Sequence, residues 1–569
     1  MSRAKQVCVG VAAAGIFGLG SSVATAVSYA EPGHSEAGPS SSAAKAGSPS
    51  AGPRARTRPH TQTRHPVGAI TRPAVSRASV SAARKPAAAG RTSKKTAAEL
   101  ISLTLSTLGV APVTSPGATS STASPATGRS RRGAVVTATA VAAAGGGASV
   151  SAQASTPTHV LVIGIDGTNL SAILADDANV NLLGLMNTGT TAVSTIVGHT
   201  TISNPSWTGI LTGVWGETAG VINNVFTPWT YDKWPTIFNQ LETYDPAIET
   251  TAIADWANIA QIAGAGSAPA DNILYYEKYN NSWLDTDDLV GQASVDAIEG
   301  TTAGVSSFQF SYFVGVDNTG HEYDAGSPEY ANALRNVDQN VGYIMAAVDD
   351  WNAAHIDEPW TVIVTTDHGQ VPWPTIRLGS DMRAHGFQTP WETTTFVIAN
   401  GADFTPGAIN NTYLNIDVTP TVAELFGLAP EPYSAGKPLM DRAANDYAPL
   451  DPGLDALKLA LTDAIDMYGY PDIATNVALV IRTIAATIPY VVYTLFDGLT
   501  ADMPQPFKLP IQFVGAVLYQ LTNIPAQLIA RLTGVTGNQI IPPDLWPYTT
   551  VPGTQPEAPA VPIPAAIAV

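Results

Sequence analysis

The hydrophobic pattern predicts alternating strands and helices between residues 157 and 445. Residues 160–165 are a continuous apolar, β-branched run, which is typical of a strand buried on both faces of a parallel sheet. Similar runs occur at 250–254, 308–316, 361–364 and 395–398, and residues 329–351 and 418–426 have helical spacing of apolar residues. Alternation of this kind predicts an α/β domain with a doubly wound, mostly parallel sheet.

The N-terminal part of the chain has a different pattern. Residues 1–30 have the features of a secretion signal, with Arg3 and Lys5 ahead of an apolar stretch and small residues that suit cleavage. A retained membrane anchor is the alternative, although the apolar stretch is shorter than the roughly 20 residues of a spanning helix. Residues 31–156 are mainly Ala, Ser, Thr, Pro, Gly and Arg, a composition that predicts disorder.

The C-terminal part predicts a helical appendage over residues 451–540, followed by a Pro-rich tail over 541–569. Its apolar segments at 454–468, 475–499 and 511–532 contain Pro489 and Pro525, and no segment offers about 18 uninterrupted apolar residues to span a membrane. Packing of the appendage on the α/β domain is expected, and an amphipathic hairpin on a membrane surface is the alternative.

Charge is distributed unevenly along the chain. Residues 1–156 contain 17 of the 28 Lys and Arg but only 3 of the 46 Asp and Glu, so the remainder is strongly acidic. Because nucleic-acid binding depends on Lys and Arg that neutralise phosphates, the folded part is not expected to bind DNA or RNA. The basic N-terminal region is expected to be a solvated spacer, and contact with an anionic cell envelope is the alternative. Association of the C-terminal helices with a membrane surface likewise stays the alternative to packing.

The cysteine content agrees with export. The single cysteine, Cys8, lies within the predicted signal, so cleavage would leave a chain without thiols. Disulfides and cysteine metal ligands are then excluded.

Acidic and histidine side chains lie where predicted strands end, which is where parallel sheets bind ligands. Asp166, Asp317, Asp367 and His368 follow predicted strands directly. His321 lies four residues after Asp317, and His385 lies just ahead of the last predicted strand. Each one alone also fits a turn, capping or structural role. Together, three carboxylates and three imidazoles would be costly to bury without a partner, and they suit a borderline cation such as Zn²⁺. A dinuclear metal site is therefore predicted.

The segment 203–213 reads as the start of a helix, with Ser203 or Asn204 as the N-cap and Pro205 in the first turn. Ser203 and nearby backbone N–H groups would then face an anion at the positive end of the helix. A serine beside a divalent metal can ionise and attack phosphorus, whereas an ordinary capping serine is the alternative.

Taken together, these motifs resemble the alkaline phosphatase superfamily and, within it, the type I phosphodiesterase and nucleotide pyrophosphatase family. The similarity covers residues 159–442, with the strand-end motifs in the family's order. The resemblance implies a hydrolase of small anionic phosphate esters that uses two divalent metal ions, with Zn²⁺ as the best fit. It implies that Ser203, ten residues before Gly213, is the nucleophile.

The resemblance also implies ligand sets. One zinc would be held by Asp166, Ser203, Asp367 and His368, and the other by Asp317, His321 and His385. Ser206 stands where the family commonly has an Asn that binds a phosphate oxygen, and Asn224 lies where family members place a polar residue near the site. Both are therefore expected to contact substrate.

Two other functions stay open. Residues 203–206 also match the start of the sulfatase motif, but Trp207 replaces its Arg, and sulfatases favour a single calcium held by oxygen ligands. A secreted binding protein that has the fold but no turnover is the other alternative. The identity of the ester remains open at this point.

Overall fold

An eight-stranded mixed sheet forms the centre of the α/β domain in the computed structural model, which describes residues 156–373, 385–443, 453–467, 471–501, 503–537, 539–547 and 551–553. The described residues belong to one compact unit. The predicted signal segment, the predicted disordered region up to residue 155 and most of the Pro-rich tail lie outside the described residues.

The strands run in the order β4-β3-β5-β1-β6-β7-β2-β8. Only β7 is antiparallel to its neighbours among these strands, so the sheet is mostly parallel, as predicted. Their bounds are β1 His159–Ile165, β2 Thr190–Thr195, β3 Glu249–Ala254, β4 Asn272–Tyr275, β5 Ser307–Phe313, β6 Trp360–Thr365, β7 Thr394–Asn400 and β8 Ala408–Ile409.

Helices connect the strands and continue past the sheet. Their bounds are α1 Leu170–Ala175, α2 Val180–Thr188, α3 Ser203–Thr212, α4 Gly216–Ala219, α5 Ile237–Tyr244, α6 Ala257–Ala263, α7 Trp283–Glu299, α8 Gly315–Tyr323, α9 Pro328–Ala354, α10 Pro390–Thr393, α11 Val418–Leu425, α12 Leu454–Ile465, α13 Ile473–Thr500 and α14 Gln505–Leu532. Helix α9 confirms the helical spacing read between residues 329 and 351.

Apolar side chains pack on both faces of the sheet, which confirms the doubly wound prediction. Alternate residues of β1 point to opposite faces, so Leu161 and Ile163 join a core with α1, α2, α7 and α9. Val160 and Val162 join a second core with α3, α5 and α6. The central strands are therefore buried on both sides and hold their carboxyl ends in fixed positions.

Two sequence expectations need correction. The run 308–316 is a strand only to Phe313, because α8 begins at Gly315 and carries Asp317 and His321 on its first turns. The expectation that no apolar segment is long enough to span a membrane is the second, because Pro489 lies inside α13 and Pro525 inside α14 and both helices continue through them. Both helices are long and apolar enough, by length and composition, to cross a membrane.

Candidate active site

The carboxyl ends of three adjacent central strands bring the predicted residues together. Strands β5, β1 and β6 lie side by side and parallel, so the residues that follow them meet at one edge of the sheet. Asp166 comes directly after β1, and its backbone N–H donates to the Phe313 carbonyl at the end of β5 (3.0 Å). Asp367 and His368 follow β6. The site is therefore positioned by the most deeply buried strands.

The first cluster joins Asp166, Asp317 and His368, whose ligand atoms lie within 4.8 Å of one another. His368 Nε2 lies 3.3 Å from Asp367 Oδ2 and 3.8 Å from Asp166 Oδ1. Ser203 Oγ lies 3.1 Å from the same nitrogen. The predicted nucleophile and the predicted ligands from β1 and β6 are thus neighbours.

The second cluster joins Asp317, His321 and His385, again within 4.8 Å. His321 Nε2 is 3.1 Å from Asp317 Oδ2 and 3.1 Å from His385 Nε2. Asp317 therefore belongs to both clusters, whereas the resemblance assigned it to one. A carboxylate in this position can connect two cations.

Buried oxygen atoms without partners support a metal in this site. Asp166 Oδ1 and Asp367 Oδ2 are buried and have no hydrogen-bond partner. Burial raises the pKa of both carboxyl groups well above the ordinary value, and neighbouring carboxylates raise it further. Anionic groups in this setting are costly unless a cation compensates them. The oxygen and nitrogen donors present fit a divalent ion such as Zn²⁺.

The histidines are held in the form that binds metals. Burial lowers the pKa of His385 well below its ordinary value, and His368 and His321 lower it further. Its Nδ1 lies 2.7 Å from the Thr201 carbonyl oxygen, which can only accept, so the proton is on Nδ1 and Nε2 faces the cluster. His368 Nδ1 faces the Gly369 carbonyl in the same way (3.1 Å). Outer hydrogen bonds of this kind orient metal ligands.

Asp317 remains ionised for a different reason. Burial alone would raise the pKa of Asp317, but the net shift is downward, chiefly because His321 Nε2 lies 3.1 Å from its carboxylate. Gln370 Nε2 also donates to the Asp317 carbonyl oxygen (3.0 Å) and to its carboxylate. Gly320 makes room for this amide, because a Cβ at that position would overlap the Gln370 side chain. Sequence reasoning missed Gln370, although it follows the Asp-His-Gly motif directly.

Two aromatic side chains donate hydrogen bonds to one carboxylate oxygen of Asp166. Trp207 Nε1 donates to Asp166 Oδ2 (2.8 Å), and the Tyr312 hydroxyl donates to the same oxygen. Trp207 is completely buried, so it packs in the core and does not stack on a ligand. Tyr312 was missed, since nothing in its strand pattern distinguishes it from a packing residue.

The start of α3 differs from the prediction. The N-cap is Ile202, and Ser203 is the first helical residue. The backbone N–H of Asn204 donates to Asn224 Oδ1 (3.0 Å), Pro205 has no N–H, and that of Ser206 donates to the Ile202 carbonyl (3.2 Å). The predicted anion site is therefore wrong for positions 204 to 206. The N–H groups of Asn204 and Ser206 donate to acceptors within the protein, and Pro205 has no N–H to donate.

The two predicted substrate contacts have protein partners. Ser206 Oγ donates to the Asp367 carbonyl oxygen (2.8 Å) and links α3 to the loop after β6. The Asn224 side-chain oxygen caps the first turn of α3. Both side chains lie next to the site, and a role in binding substrate stays a prediction for each.

A chain of contacts connects α13 to His385. Arg482 on α13 pairs with Glu217 Oε1 at 2.8 Å, and both side chains are largely buried. The same oxygen accepts from the Thr200 backbone N–H (3.2 Å), next to the Thr201 carbonyl that holds His385. Although burial acts to raise the pKa of Glu217, His199 and Arg482 lower it below its ordinary value. The C-terminal helices therefore contact the support of a predicted ligand.

The fold and site together define an α/β protein with a candidate divalent-metal centre beside a serine. Residues 160–396 match the model of the family "Type I phosphodiesterase / nucleotide pyrophosphatase". The resemblance to this family, within the alkaline phosphatase superfamily, is therefore confirmed for that segment. The family assignment supports a hydrolase that acts on phosphate esters.

Curated relatives match over short stretches. Ectonucleotide pyrophosphatase/phosphodiesterase family member 7 of Homo sapiens is 38% identical over 58 residues, 10% of this chain and 12% of the relative. GPI ethanolamine phosphate transferase 1 of Emericella nidulans is 31% identical over 97 residues, 17% of this chain and 9% of the relative. The chain thus matches only about a tenth of the length of each.

Solved structures with similarity to this chain include both phosphodiesterases and sulfatases. Murine ectonucleotide pyrophosphatase / phosphodiesterase 5 is 16% identical with a TM-score of 0.38, covering 48% of this chain and 96% of that one. A putative sulfatase from Bacteroides thetaiotaomicron is 13% identical with a TM-score of 0.39, covering 52% and 77%.

Proposed function

We propose that this protein is an exported, metal-dependent hydrolase of phosphate esters, of the phosphodiesterase or nucleotide pyrophosphatase type, with Ser203 as nucleophile. The observation that carries the proposal is the position of Ser203 Oγ, 3.1 Å from His368 Nε2, beside two clusters of carboxylates and imidazoles that share Asp317. A serine that only begins a helix would not have to lie beside a cluster of carboxylates and imidazoles.

Two cations fit the donors better than one. Asp166, Asp367, His368 and Ser203 would hold the first, Asp317, His321 and His385 the second, and Asp317 could reach both. When bound, divalent ions would supply positive charge that lowers the pKa of the Ser203 hydroxyl and offsets the charge of an anionic ester. Zn²⁺ is the proposed metal because three of the donors are imidazoles.

The residues of the chain would then act in two stages. Ser203 loses its proton, and its oxygen forms a bond to phosphorus while the bond to the leaving alcohol or phosphate breaks, which gives a phosphoserine ester. The proton passes, directly or through solvent, to the leaving oxygen. Water then attacks the same phosphorus, the bond to Ser203 Oγ breaks, and the serine regains a proton. His368, whose Nε2 lies 3.1 Å from Ser203 Oγ, would keep Ser203 in place through both stages, and Asp367 Oδ2 lies 3.3 Å from the same nitrogen.

The test is hydrolysis of chromogenic phosphodiester, phosphomonoester and sulfate substrates by the zinc-loaded protein and by the chelated protein. We expect phosphate-ester hydrolysis that chelation abolishes. Ser203→Ala should lose at least about 10³-fold in turnover while it keeps its metal. Ser294→Ala is the matched control, because it removes a buried hydroxyl whose partners are the Val290 carbonyl oxygen and Ser311, neither of them a predicted site residue.

Each outcome separates the alternatives. Hydrolysis of the sulfate ester alone would identify a sulfatase, and metal binding without any turnover would identify a binding protein. Near-normal turnover in Ser203→Ala would refute the serine as nucleophile. The metal centre is tested separately, by the loss of hydrolysis on chelation.

We also propose export, with cleavage within residues 1–30. N-terminal sequencing of the protein recovered outside the cells should begin after Ala26 or Ala30. A chain that retains Met1 in the membrane fraction would support the anchor instead.

A further inference from the structure

Helices α13 and α14 have an inverted distribution of polar and apolar residues. They form a hairpin joined by residues 501–504, which we call the C-terminal hairpin. Its buried polar side chains are Asn476, Arg482, Thr483, Thr500, Thr522, Asn523 and Gln527. A helix pair in water normally places such residues outside and apolar residues inside.

The outer face of the hairpin is apolar along its whole length. On α13 the exposed apolar residues are Ile473, Val477, Ile481, Ile488, Val491, Leu495 and Leu499, spaced mainly three or four apart, and so on one side of the helix. On α14 they are Phe507, Leu509, Phe513, Val514, Val517, Leu521, Leu528 and Leu532. An exposed apolar patch of this extent marks an interaction surface.

Charged side chains avoid this face. On α13 the two charged residues are Arg482, which is buried against Glu217, and Asp497, which is half-buried. On α14 Lys508 and Arg531 lie near the two ends of the helix. Between the ends, the described face is therefore uncharged and mainly hydrocarbon and aromatic carbon.

Contacts within the hairpin resemble those of helices in lipid. Gly515 on α14 faces Phe496 on α13, where a Cβ would approach the ring to 2.6 Å. Ala485, Ala486, Ala526 and Ala530 are buried in one cluster near the α/β domain. Small residues and inward-facing Thr and Asn are the usual helix contacts where no water drives apolar side chains inward.

We propose that the outer face of the C-terminal hairpin binds the hydrocarbon region of a lipid bilayer. A second copy of the chain fits less well, because protein interfaces are enriched in Tyr, Trp and Arg at the centre and have a polar rim. Here the central positions are aliphatic, and Tyr519 is buried and lies near Trp546 on the inner side. Both helices also have the length and composition of segments that enter lipid.

The inner side of the hairpin is fixed to the α/β domain next to the candidate site. Asn223 Nδ2 donates to the Ala486 carbonyl oxygen (2.8 Å), and Arg482 pairs with Glu217. Asn224, adjacent to Asn223, caps the helix that begins at Ser203. Lipid binding would therefore hold the candidate site close to the bilayer surface, and the binding itself does not depend on catalysis.

The experiment is flotation of the full chain with phosphatidylcholine vesicles in 0.5 M NaCl. Neutral lipid and high salt remove any contribution from the basic residues of the N-terminal region. We expect the wild type to float with the vesicles, and the triple variant Val491→Glu, Phe513→Glu, Leu521→Glu to lose at least about tenfold in partitioning. All three positions are exposed, so the fold should be kept, which circular dichroism checks.

The matched control replaces three exposed apolar residues away from the hairpin. Val180→Glu, Ile356→Glu and Leu459→Glu remove side chains that are 62%, 83% and 64% exposed and should leave flotation unchanged. Equal flotation of the hairpin variant and the wild type, or no flotation of the wild type, would overturn the proposal. Concentration-dependent self-association without lipid, lost in the hairpin variant, would identify a second copy as the occupant.

Discussion

At the scale of single residues, the Asp166 carboxylate is stabilised by two side chains that are not among the predicted metal ligands. Trp207 and Tyr312 both donate to Asp166 Oδ2, which leaves Oδ1 directed toward His368. One oxygen of Asp166 therefore accepts hydrogen bonds from the protein, and the other is available to the candidate metal. Supports of this kind change metal affinity without contacting the metal.

Trp207→Phe tests this arrangement. The variant keeps the ring in the core and removes one hydrogen bond to a buried carboxylate, so we expect a loss of about 1.5–3 kcal/mol in the free energy of unfolding and of about 10- to 100-fold in zinc affinity. Urea unfolding and zinc titration measure the two effects. Trp351→Phe is the control, since Trp351 Nε1 donates to the Glu358 carbonyl (2.9 Å) far from the site; it should lose stability but no zinc affinity.

At the scale of elements, two buried carboxyl groups hold the helix that carries Asp317 and His321. Asp255 Oδ1 accepts from the Val314 N–H and Asp287 Oδ1 from the Gly315 N–H, each at 3.0 Å, at the start of α8. Burial raises the pKa of Asp255 well above its ordinary value and that of Asp287 to about 7. The pair is therefore protonated in the folded protein at pH values where the unfolded chain has lost its protons.

This pair gives a pH dependence of defined sign. A raised carboxyl pKa means that the folded state binds more protons, so its stabilising effect is complete below the unfolded value near 4 and is lost as pH rises toward about 7. Asp255→Asn keeps a neutral acceptor for Val314 and should reduce the difference in unfolding free energy between pH 5 and pH 8. Urea unfolding of the metal-free protein at both pH values measures it, and an unchanged difference would exclude the pair as its source.

The contact between Arg482 and Glu217 joins the C-terminal hairpin to the site. Arg482→Leu leaves Glu217 buried without its cation, so we expect a loss of about 3–5 kcal/mol in unfolding free energy and weaker zinc binding through Thr200, Thr201 and His385. The double variant with Glu217→Gln should lose less than the two single variants together, because neither charge is then stranded. Additive losses in that cycle would show that the pair does not couple.

Strands with continuous apolar runs could be predicted, and polar buried strands could not. Apolar runs in the sequence are enough to locate β1, β3, β5, β6 and β7. Strand β2, in contrast, has Thr and Ser at four of its six positions, and most of these are buried. Whether such a segment forms a strand is determined by its tertiary packing, which the local sequence does not show. Pro489 likewise stays within α13, because packing against α14 and the α/β domain holds the helix despite the missing hydrogen bond.

The candidate site shows the same division. Position after a strand selected Asp166, Asp317, Asp367 and His368, whereas His321 and His385 also needed the order of motifs along the chain and the family resemblance. The structure brings all six together. Gln370, Tyr312 and Arg482 act through contacts between residues far apart in sequence, which no local pattern reveals. The partners of the α3 N–H groups depend on Asn224, twenty residues away, for the same reason.

At the scale of the whole molecule, the acidic charge makes stability depend on the proposed metals. Residues 157–569 contain 43 Asp and Glu against 11 Lys and Arg, and the site concentrates three buried carboxylates. A cation that binds only the folded state stabilises it by about 2.7 kcal/mol per site at 100 times its Kd. Zinc should therefore raise the Tm by about 5–15 °C relative to the chelated protein.

Calorimetry of the zinc-loaded and chelated protein measures this rise, and the variants locate its source. Asp317→Asn should abolish most of it, since Asp317 belongs to both clusters, whereas His321→Ala should remove only the part due to the second. Asp245→Asn, at the end of α5, removes one negative charge away from the site and should keep the full rise. A rise that Asp245→Asn reduces as much as Asp317→Asn does would mean that zinc acts on the general negative charge of the domain, and the clusters at the strand ends would then not be its binding site.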